Sequence, residues 1–483
     1  MNQTAYRYAL LTACLTTALS FGAYAEQKPR IVDRPDVGAP SCLHASHGSN
    51  DQSGTTESLQ LSELIDSSFE AMFARFEQSR ARFGSVQHPL NPSPTRVNEE
   101  FTHRRTLISA SDRMVTTPNN DTLYSAAWVQ LENGPVELHL PRMPEDRYWS
   151  MAVLDIDTDN IAIFGSGTKT PTPLNVVLVP SHYKGPVPAG STRVVTPGSD
   201  VQLLVRILVN DVKDIESVGV LQAGMSIRPL AKNSSGQFPV RTEPKSSRDP
   251  ANFLSVVNES LERNPFPSSR SEQLASWRAV GIGVHAPAFE ELPAPVQSLW
   301  CSRIDSLNDQ LRDGLGHGSQ TVHGWRVPDP NVGSAGEDDG LRASVALGAL
   351  GALSSSEAVY LQLDVDPQSG SILDGKKAWE LDIPAIEARG FWSISMYEVD
   401  DQGRFFFADN DIHRYAIGNR TKGLKKQPNG SLRLSLQTDS PADPSNWLPT
   451  PPGRFAMVLR VYLPSEDMRK GLAPLPLLRQ LTR

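Results

Sequence analysis

Two stretches of the sequence, 136–157 and 379–400, repeat one pattern that constrains the fold more than any other feature. VELHLPRMPEDRYWSMAVLDID aligns without a gap on WELDIPAIEARGFWSISMYEVD. Each contains an alternating strand, a proline break and then an aromatic strand, which predicts one β-hairpin-like element in each of two β-sandwiches. The identical pairs include Glu137/Glu380, Leu138/Leu381, Pro141/Pro384, Trp149/Trp392 and Ser150/Ser393.

Duplication and convergent strand patterning both explain this match. The shared positions are mostly those that a packed pair of strands requires, so we favour a structural echo. The match therefore predicts two similar β domains.

The 483-residue length requires more than one hydrophobic core. Period-two alternation runs from about 105 to 230 and returns after 357. Apolar residues three and four positions apart predict helices between these β regions and also at 57–82. The predicted organisation is a leader at 26–54, a helix plus β-sandwich at 55–230, an α-helical insert at 251–355 and a C-terminal β domain at 356–483.

The N-terminus has the pattern of a Sec signal peptide covering residues 1–25. Arg7 precedes an apolar run, and Ala-Tyr-Ala ends at Ala25. Residues 11–14 also resemble a lipoprotein cleavage box, which is the alternative. We expect export, with a periplasmic mature chain, and no other run is long enough to span a bilayer. Cys42 and Cys301 then remain, either bridged or free.

Charge and motifs exclude several classes of function. The net charge of −8 argues against a nucleic-acid-binding surface. The sequence lacks a nucleophile elbow, a zincin helix, a phosphate-binding loop and a dinucleotide fingerprint. Two weak metal patterns are present, the triad Asp155, Asp157 and Asp159 and the leader motif Cys42-x-His44-x-x-His47, but each departs from a full ligand set. We predict neither a metal nor a cofactor.

The segment TTPNNDTLYSAAW concentrates hydrogen-bonding groups at the start of a strand. Asn and Asp favour turns, which is the structural interpretation. In the functional interpretation, Asp121 is a catalytic acid or base and Tyr124 orients the ligand. Asn119 and Asn120 would then anchor its polar atoms.

Further candidates occur beside aromatic residues in both β domains and in two loops. Arginine next to an aromatic side chain is suited to binding an anion, and a loop tryptophan is suited to covering a cleft. A salt bridge or the anchoring of a loop is the structural alternative in each case. The predicted ligand-binding residues are Arg147, Tyr148, Trp325, His413, Arg414, Tyr415 and Trp447.

Several motifs carry a family resemblance that covers roughly residues 55 to 470. The N-terminal part resembles a domain of unknown function numbered 1254, in PNNDTLYSAAW, GPVELHLP and RYWSMAVLD. The C-terminal part resembles its usual companion, numbered 1214, in DGKKAWELDIP, GFWSISMYEVD, HRYAIGN, NGSLRLSLQTDSP and NWLPTPPGRFAMVLRVYLP. The resemblance implies a mainly β fold with an immunoglobulin-like sandwich, a small α-helical insert and a jelly-roll-like C-terminal sandwich. It implies no activity.

Together these observations predict an exported protein that binds a small organic, sugar or lipid-like ligand in a cleft between its two β domains. Metal-free hydrolase or lyase chemistry at Asp121 and Tyr124 fits the same groups. The alternative is a non-catalytic envelope or interaction protein. The identity of the ligand, the presence of catalysis and the oligomeric state stay open at this point.

Overall fold

The computed structural model describes residues 40–43, 56–113, 116–231, 240–401 and 403–481. The predicted signal peptide and most of the predicted leader lie outside this part of the chain. The helices are α1 (Thr56–Val86), α2 (Ile215–Ala223), α3 (Pro250–Arg263), α4 (Ser271–Trp277), α5 (Ala294–Asp313), α6 (Asp339–Gly348) and α7 (Glu466–Arg469).

The strands fall into an N-terminal and a C-terminal group. The N-terminal strands are β1 (Thr102–His103), β2 (Thr122–Gln130), β3 (Val136–Leu140), β4 (Trp149–Leu154), β5 (Asn160–Gly165), β6 (Leu174–Pro180), β7 (Thr192–Thr196), β8 (Asp200–Leu208) and β9 (Ser226–Pro229). The C-terminal strands are β10 (Gln320–Val322), β11 (Trp325–Val327), β12 (Ala358–Leu363), β13 (Trp379–Ile383), β14 (Trp392–Val399), β15 (Phe405–Phe407), β16 (Ala416–Gly418), β17 (Leu432–Gln437), β18 (Trp447–Pro449), β19 (Phe455–Tyr462) and β20 (Leu477–Gln480).

These strands form two sandwiches, each with an inner and an outer sheet. The N-terminal inner sheet has the order β1-β2-β8-β4-β5, and its outer sheet has the order β7-β6-β3-β9. The C-terminal inner sheet runs β10-β11-β12-β19-β14-β15, with β16 also on β14, and its outer sheet runs β18-β17-β13-β20. The two inner sheets pack against each other, since one apolar cluster joins Ala152 and Leu204 to Val458 and Tyr462. The predicted fold class, mainly β with two sandwiches and a helical insert, is confirmed.

The position of a sheet in this stack explains the sequence pattern of its strands. Strands β2, β8 and β19 are buried at every position, because the inner sheets are covered on both faces. Strands β3 and β13 alternate between buried and half-buried positions, because the outer sheets have one face near solvent. The apolar run VQLLVRIL is therefore an inner strand, where alternation is not required.

In each sandwich, the two strands of the repeated sequence unit lie in different sheets. Strand β3 pairs with β6 and β9 in the outer sheet, whereas β4 pairs with β5 and β8 in the inner sheet. Strands β13 and β14 are divided between sheets in the same way. The prediction of a hairpin-like element is thus wrong. The proline and the residues after it carry the chain from one sheet to the other, so the two strands of a unit never pair.

The similarity between the two repeated units extends to the strand order of the whole sandwiches. The order β7-β6-β3-β9 corresponds to β18-β17-β13-β20, and in both outer sheets the first pair is parallel and the others are antiparallel. In the inner sheets, β2-β8-β4-β5 corresponds to β12-β19-β14-β16. The two sandwiches therefore share a topology, and residues at equivalent register positions of the matching inner strands can be compared.

The first helix belongs with the later helices. Phe69 and Phe73 of α1 lie in one apolar core with Phe253 of α3 and Trp300 of α5. The predicted boundaries grouped this helix with the N-terminal sandwich, but its apolar stripe finds its main partners in the insert. The short strands β10 and β11, within the predicted insert, extend the C-terminal inner sheet.

A disulfide joins Cys42 to Cys301 on α5. It links the segment Pro40–Leu43 covalently to the core formed by α1, α3 and α5, across a sequence separation of 259 residues. Of the two states left open by the sequence, the structure has the bridge.

Replacing Cys301 with serine should lower the free energy of unfolding by about 2–4 kcal/mol, because the unfolded chain loses a long-range cross-link. Urea unfolding of the oxidised protein measures this change. Treating the wild type with a reductant should produce the same loss and should leave Cys301→Ser unaffected. A wild-type protein that is insensitive to reduction would contradict the prediction.

Candidate functional site

The polar turn before β2 lies between the two inner sheets. The side-chain oxygen of Asn119 accepts a hydrogen bond from the backbone N–H of Asp121 at 2.7 Å. Its amide nitrogen donates to the hydroxyl of Tyr462 at 2.8 Å and lies 3.4 Å from that of Tyr124. Asn119 thus does two things at once, since it shapes the turn and connects it to the C-terminal sandwich. Asn120 beside it is half-buried.

Asp121 links the two sandwiches through both of its carboxylate oxygens. One oxygen accepts a hydrogen bond from the hydroxyl of Ser393 at 2.5 Å, and the other accepts from Nη2 of Arg420 at 3.0 Å. The side chain is buried. Because Ser393 and Arg420 both belong to the C-terminal sandwich, this carboxylate acts as a clamp between domains.

A second arginine of the C-terminal inner sheet holds the backbone of the same turn. Nη2 of Arg460 donates to the carbonyl oxygens of Thr117 and Pro118 at 3.0 and 3.2 Å, and Nη1 donates to the hydroxyl of Ser395 at 2.8 Å. The hydroxyl of Tyr397 donates to Pro118 at 2.7 Å. The turn is therefore fixed by buried groups from the other domain.

Tyrosine hydroxyls continue this buried network. The hydroxyls of Tyr360 and Tyr462 lie 3.1 Å apart, and that of Tyr148 donates to Glu357 at 2.7 Å. Burial raises the pKa of Glu357, although the hydrogen bond from Tyr148 and the charge of Arg206 oppose this. Burial and the neighbouring Glu357 carboxylate also raise the pKa of Tyr148.

The network is arranged twice, once in each inner sheet. In the N-terminal sheet, Arg206 lies opposite Tyr124 on one side and Ser150 on the other. In the C-terminal sheet, Arg460 lies in the same way between Tyr360 and Ser393. Each arginine also stacks on its tyrosine, at 5.3 and 5.6 Å from the ring centre. Asp121 and Glu357 are counterparts too, three residues before these tyrosines.

The remaining predicted ligand-binding residues do not converge on this network. Arg147 donates to both carboxylate oxygens of Asp214, at 2.6 and 2.8 Å, within the N-terminal sandwich. Trp325 is fully buried in the C-terminal core, where its indole N–H donates to Pro476. These contacts match the structural interpretation of each residue.

The segment from His413 to Tyr415 and the loop at Trp447 hold one another in place. His413 is exposed, whereas Tyr415 stacks on Phe407 with the ring centres 5.0 Å apart. Arg414 donates to the carbonyl oxygen of Trp447 at 2.9 Å. The indole N–H of Trp447 donates to Gln437 at 2.8 Å. Arg414 and Trp447 thus form a loop anchor, and Tyr415 borders the interdomain network through Phe407, which also stacks on Tyr397.

A cleft lies between α6 and the C-terminal inner sheet, and we refer to it as the helical cleft. Its cavity volume is about 30 Å³, and the wider space of about 530 Å³ around it includes open solvent. Its walls consist of Leu315, Gly316, His317, Ser319, Arg326, Pro328, Asp329, Val332, Leu341, Ser344, Val345, Gly348, Ala349, Tyr360, Gln362 and Val458. In the sequence, the glycine-rich loop after α5 was the only indication of this cleft. The strands that complete the cleft are distant in the chain, and their sequences did not indicate it.

The aspartate triad of the weak calcium pattern is held by protein groups. Both oxygens of Asp157 accept hydrogen bonds from Arg75 at 2.8 Å. Asp159 accepts from the backbone N–H of Ala335 at 2.8 Å. No cluster of metal-ligating side chains occurs within the described residues. The disulfide occupies the thiol of Cys42, and the two histidines of the zinc pattern lie outside the described part of the chain.

Comparison with known proteins identifies both β domains by family. Residues 98–229 match the family described as "Protein of unknown function (DUF1254)", and residues 357–466 match "Protein of unknown function (DUF1214)". No curated protein matches the chain. Over the part that the structure describes, no helix is long and apolar enough to cross a membrane.

Two of the solved structures that match the chain are of uncharacterised or unassigned proteins. The VPA0106 protein from Vibrio parahaemolyticus is 20% identical, with a TM-score of 0.69, and the alignment covers 87% of this chain and 100% of that one. A putative uncharacterized protein from Burkholderia cenocepacia is 12% identical, with a TM-score of 0.42 and coverages of 91% and 92%. The first similarity establishes a shared fold.

Proposed function

We propose that this chain, which pairs a DUF1254 domain with a DUF1214 domain, binds a small hydroxylated organic molecule in the helical cleft. The observation that carries the proposal is the composition of the cleft walls. Leu341, Val345 and Val458 supply apolar surface, while Tyr360 and Gln362 are buried polar residues of the same wall. A concave apolar surface with a few polar groups is the usual form of a small-molecule site.

The polar side of the cleft contains hydrogen-bonding groups of both kinds. Arg326 lies 3.7 Å from the carboxylate of Asp364, which reduces its net attraction for an anion. Ser319 and Ser344 add hydroxyl groups. This mixture is better suited to a neutral sugar-like ligand than to a lipid tail or a strongly charged molecule, because it offers donors and acceptors beside an apolar wall.

The interdomain network supports a binding protein more than an acid/base enzyme. Both oxygens of Asp121 are engaged by Ser393 and Arg420, and this geometry favours a structural role for the predicted acid or base. Asn119 and Tyr148 are likewise bound within the protein. The proposal therefore places ligand binding in the helical cleft and keeps the network as its support.

Export is part of the same proposal. The signal-peptide pattern at 1–25 motivates it, and the bridge between Cys42 and Cys301 supports it. Structural disulfides persist in oxidising compartments such as the bacterial periplasm.

Substitution of Ser319 with tryptophan should weaken ligand binding at least tenfold, because a large ring at this half-buried wall position fills the cleft. Isothermal titration of the mature protein with a panel of neutral mono- and disaccharides measures the effect. Ser440→Trp, at an exposed serine in another loop, is the matched control and should bind like the wild type. The proposal fails if no saccharide binds the wild type or if Ser319→Trp binds equally well.

A further inference from the structure

Arg206 is a buried cation with unused hydrogen-bond donors. Its side chain is 1% exposed, and Nη2 donates to the carbonyl oxygen of Gly351 at 3.0 Å. Within the described residues, its Nε and Nη1 atoms have no hydrogen-bond partner. Leaving buried donors of a charged group unpaired is costly, more so than for a neutral group.

The equivalent arginine of the C-terminal inner sheet, Arg460, shows which protein atom is missing beside Arg206. Its counterpart Arg460 donates from Nη1 to the hydroxyl of Ser395 at 2.8 Å. Ser395 lies two residues after Ser393, the direct neighbour of Arg460, and Ala152 lies two residues after Ser150, the direct neighbour of Arg206. Alanine thus replaces serine at the equivalent position, and the acceptor oxygen is lost.

The ion pairs around the two arginines also differ between the N-terminal and C-terminal inner sheets. Asp121 has Arg420 as its ion-pair partner, whereas the position equivalent to Arg420, two residues after the paired glycine, is Gly167. Among the described residues, no carboxylate lies within ion-pair distance of Arg206. Glu357 is the counterpart of Asp121. Burial raises its pKa, and the hydrogen bond from Tyr148 and the charge of Arg206 act in the opposite direction.

We propose that Arg206 binds a small monovalent inorganic anion, of the size of chloride, at its Nη1 atom beside Ala152. The anion would take the place of the hydroxyl oxygen that Ser395 supplies to Arg460. Charge-assisted hydrogen bonds from a guanidinium are strong in a buried environment. The site is separate from the helical cleft and does not depend on its ligand.

A chloride titration of the whole mature protein tests the proposal. Melting temperatures are measured in sodium chloride and in sodium gluconate at equal ionic strength. Chloride should raise the melting temperature of the wild type, because an anion that binds only the folded state stabilises it. Ala152→Ser restores the acceptor oxygen, so it should melt higher than the wild type in gluconate and should lose the response to chloride.

Ser395→Ala is the matched control, because it removes the same oxygen from the other half and leaves Arg206 unchanged. It should respond to chloride at least as strongly as the wild type, because it keeps the site at Arg206 and also removes the acceptor from Nη1 of Arg460. Crystals of the wild type grown in bromide provide a readout that needs no variant, with an anomalous peak in contact with Nη1 of Arg206. A water molecule in that position, or equal melting temperatures in chloride and gluconate, would overturn the proposal.

Discussion

Replacement of Asp200 by alanine should lower the free energy of unfolding by about 3–5 kcal/mol, because it removes the carboxylate that pairs with the buried Arg82 and one of the two that pair with Arg263. Asp200 opens β8 and accepts hydrogen bonds from Arg82 on α1 at 2.6 Å and from Arg263 on α3 at 2.9 Å. Asn264 donates to the same carboxylate at 2.9 Å. One side chain therefore joins two helices of the insert to the N-terminal inner sheet.

Urea unfolding of the mature protein measures this loss. The matched control is Asp66→Ala, which removes a partly exposed ion pair between Asp66 on α1 and Arg303 on α5. Exposed pairs contribute about 0–1 kcal/mol, so the control should change stability little. Equal losses in the two variants would contradict the assigned role of Asp200.

The effect of Asp200 should also depend on pH. Burial alone would raise its pKa, but the charges of Arg82 and Arg263 and the hydrogen bond from Asn264 lower it overall. A carboxyl with a lowered pKa in the folded state stabilises the protein above its unfolded pKa of about 3.9. This contribution is lost as the pH falls through the folded pKa. The difference between the wild type and Asp200→Asn should therefore be full at neutral pH and should shrink below about pH 4.

The sequence predicted the strands and helices that have one solvent-facing side. It predicted less well how these elements pack together. Alternation in VELHL and WELDI correctly indicated strands, because each lies in an outer sheet with an apolar and a polar side. It could not show that β3 and β4 belong to different sheets, because the alternation of a strand does not identify its neighbours. Likewise, the apolar stripe of α1 showed that the helix is buried but not which domain covers it.

The candidate site shows the same limit. The polar cluster Asn119, Asp121 and Tyr124 was recognised because so many hydrogen-bonding groups precede one buried strand. Whether those groups face a ligand or other side chains depends on Ser393 and Arg420, which are hundreds of residues away in the chain. The repeat alignment contained Ser150 and Ser393 but stopped before Arg206 and Arg460, so the duplicated network was visible only in the strand registers.

Replacement of Asp121 by alanine distinguishes the clamp from the catalytic interpretation, and we expect a loss of about 3–5 kcal/mol in the free energy of unfolding. The variant leaves the guanidinium of Arg420 and the hydroxyl of Ser393 without their shared acceptor. A double-mutant cycle with Arg420→Ala isolates the pair, and we expect a coupling energy of about 1–3 kcal/mol. Urea unfolding of the wild type, the two single variants and the double variant measures the four free energies that the cycle requires.

The matched control for this cycle is Asp112→Ala combined with Arg104→Ala, a partly exposed ion pair at 2.9 Å. Its coupling should be below about 1 kcal/mol, since solvent screens such pairs. If Asp121→Ala unfolds like the wild type, its carboxylate is not needed to hold the sandwiches together, and the acid/base interpretation regains its place. If the loss and the coupling are both large, the polar residues before β2 serve to join two copies of one sandwich, and ligand chemistry has to be sought in the helical cleft.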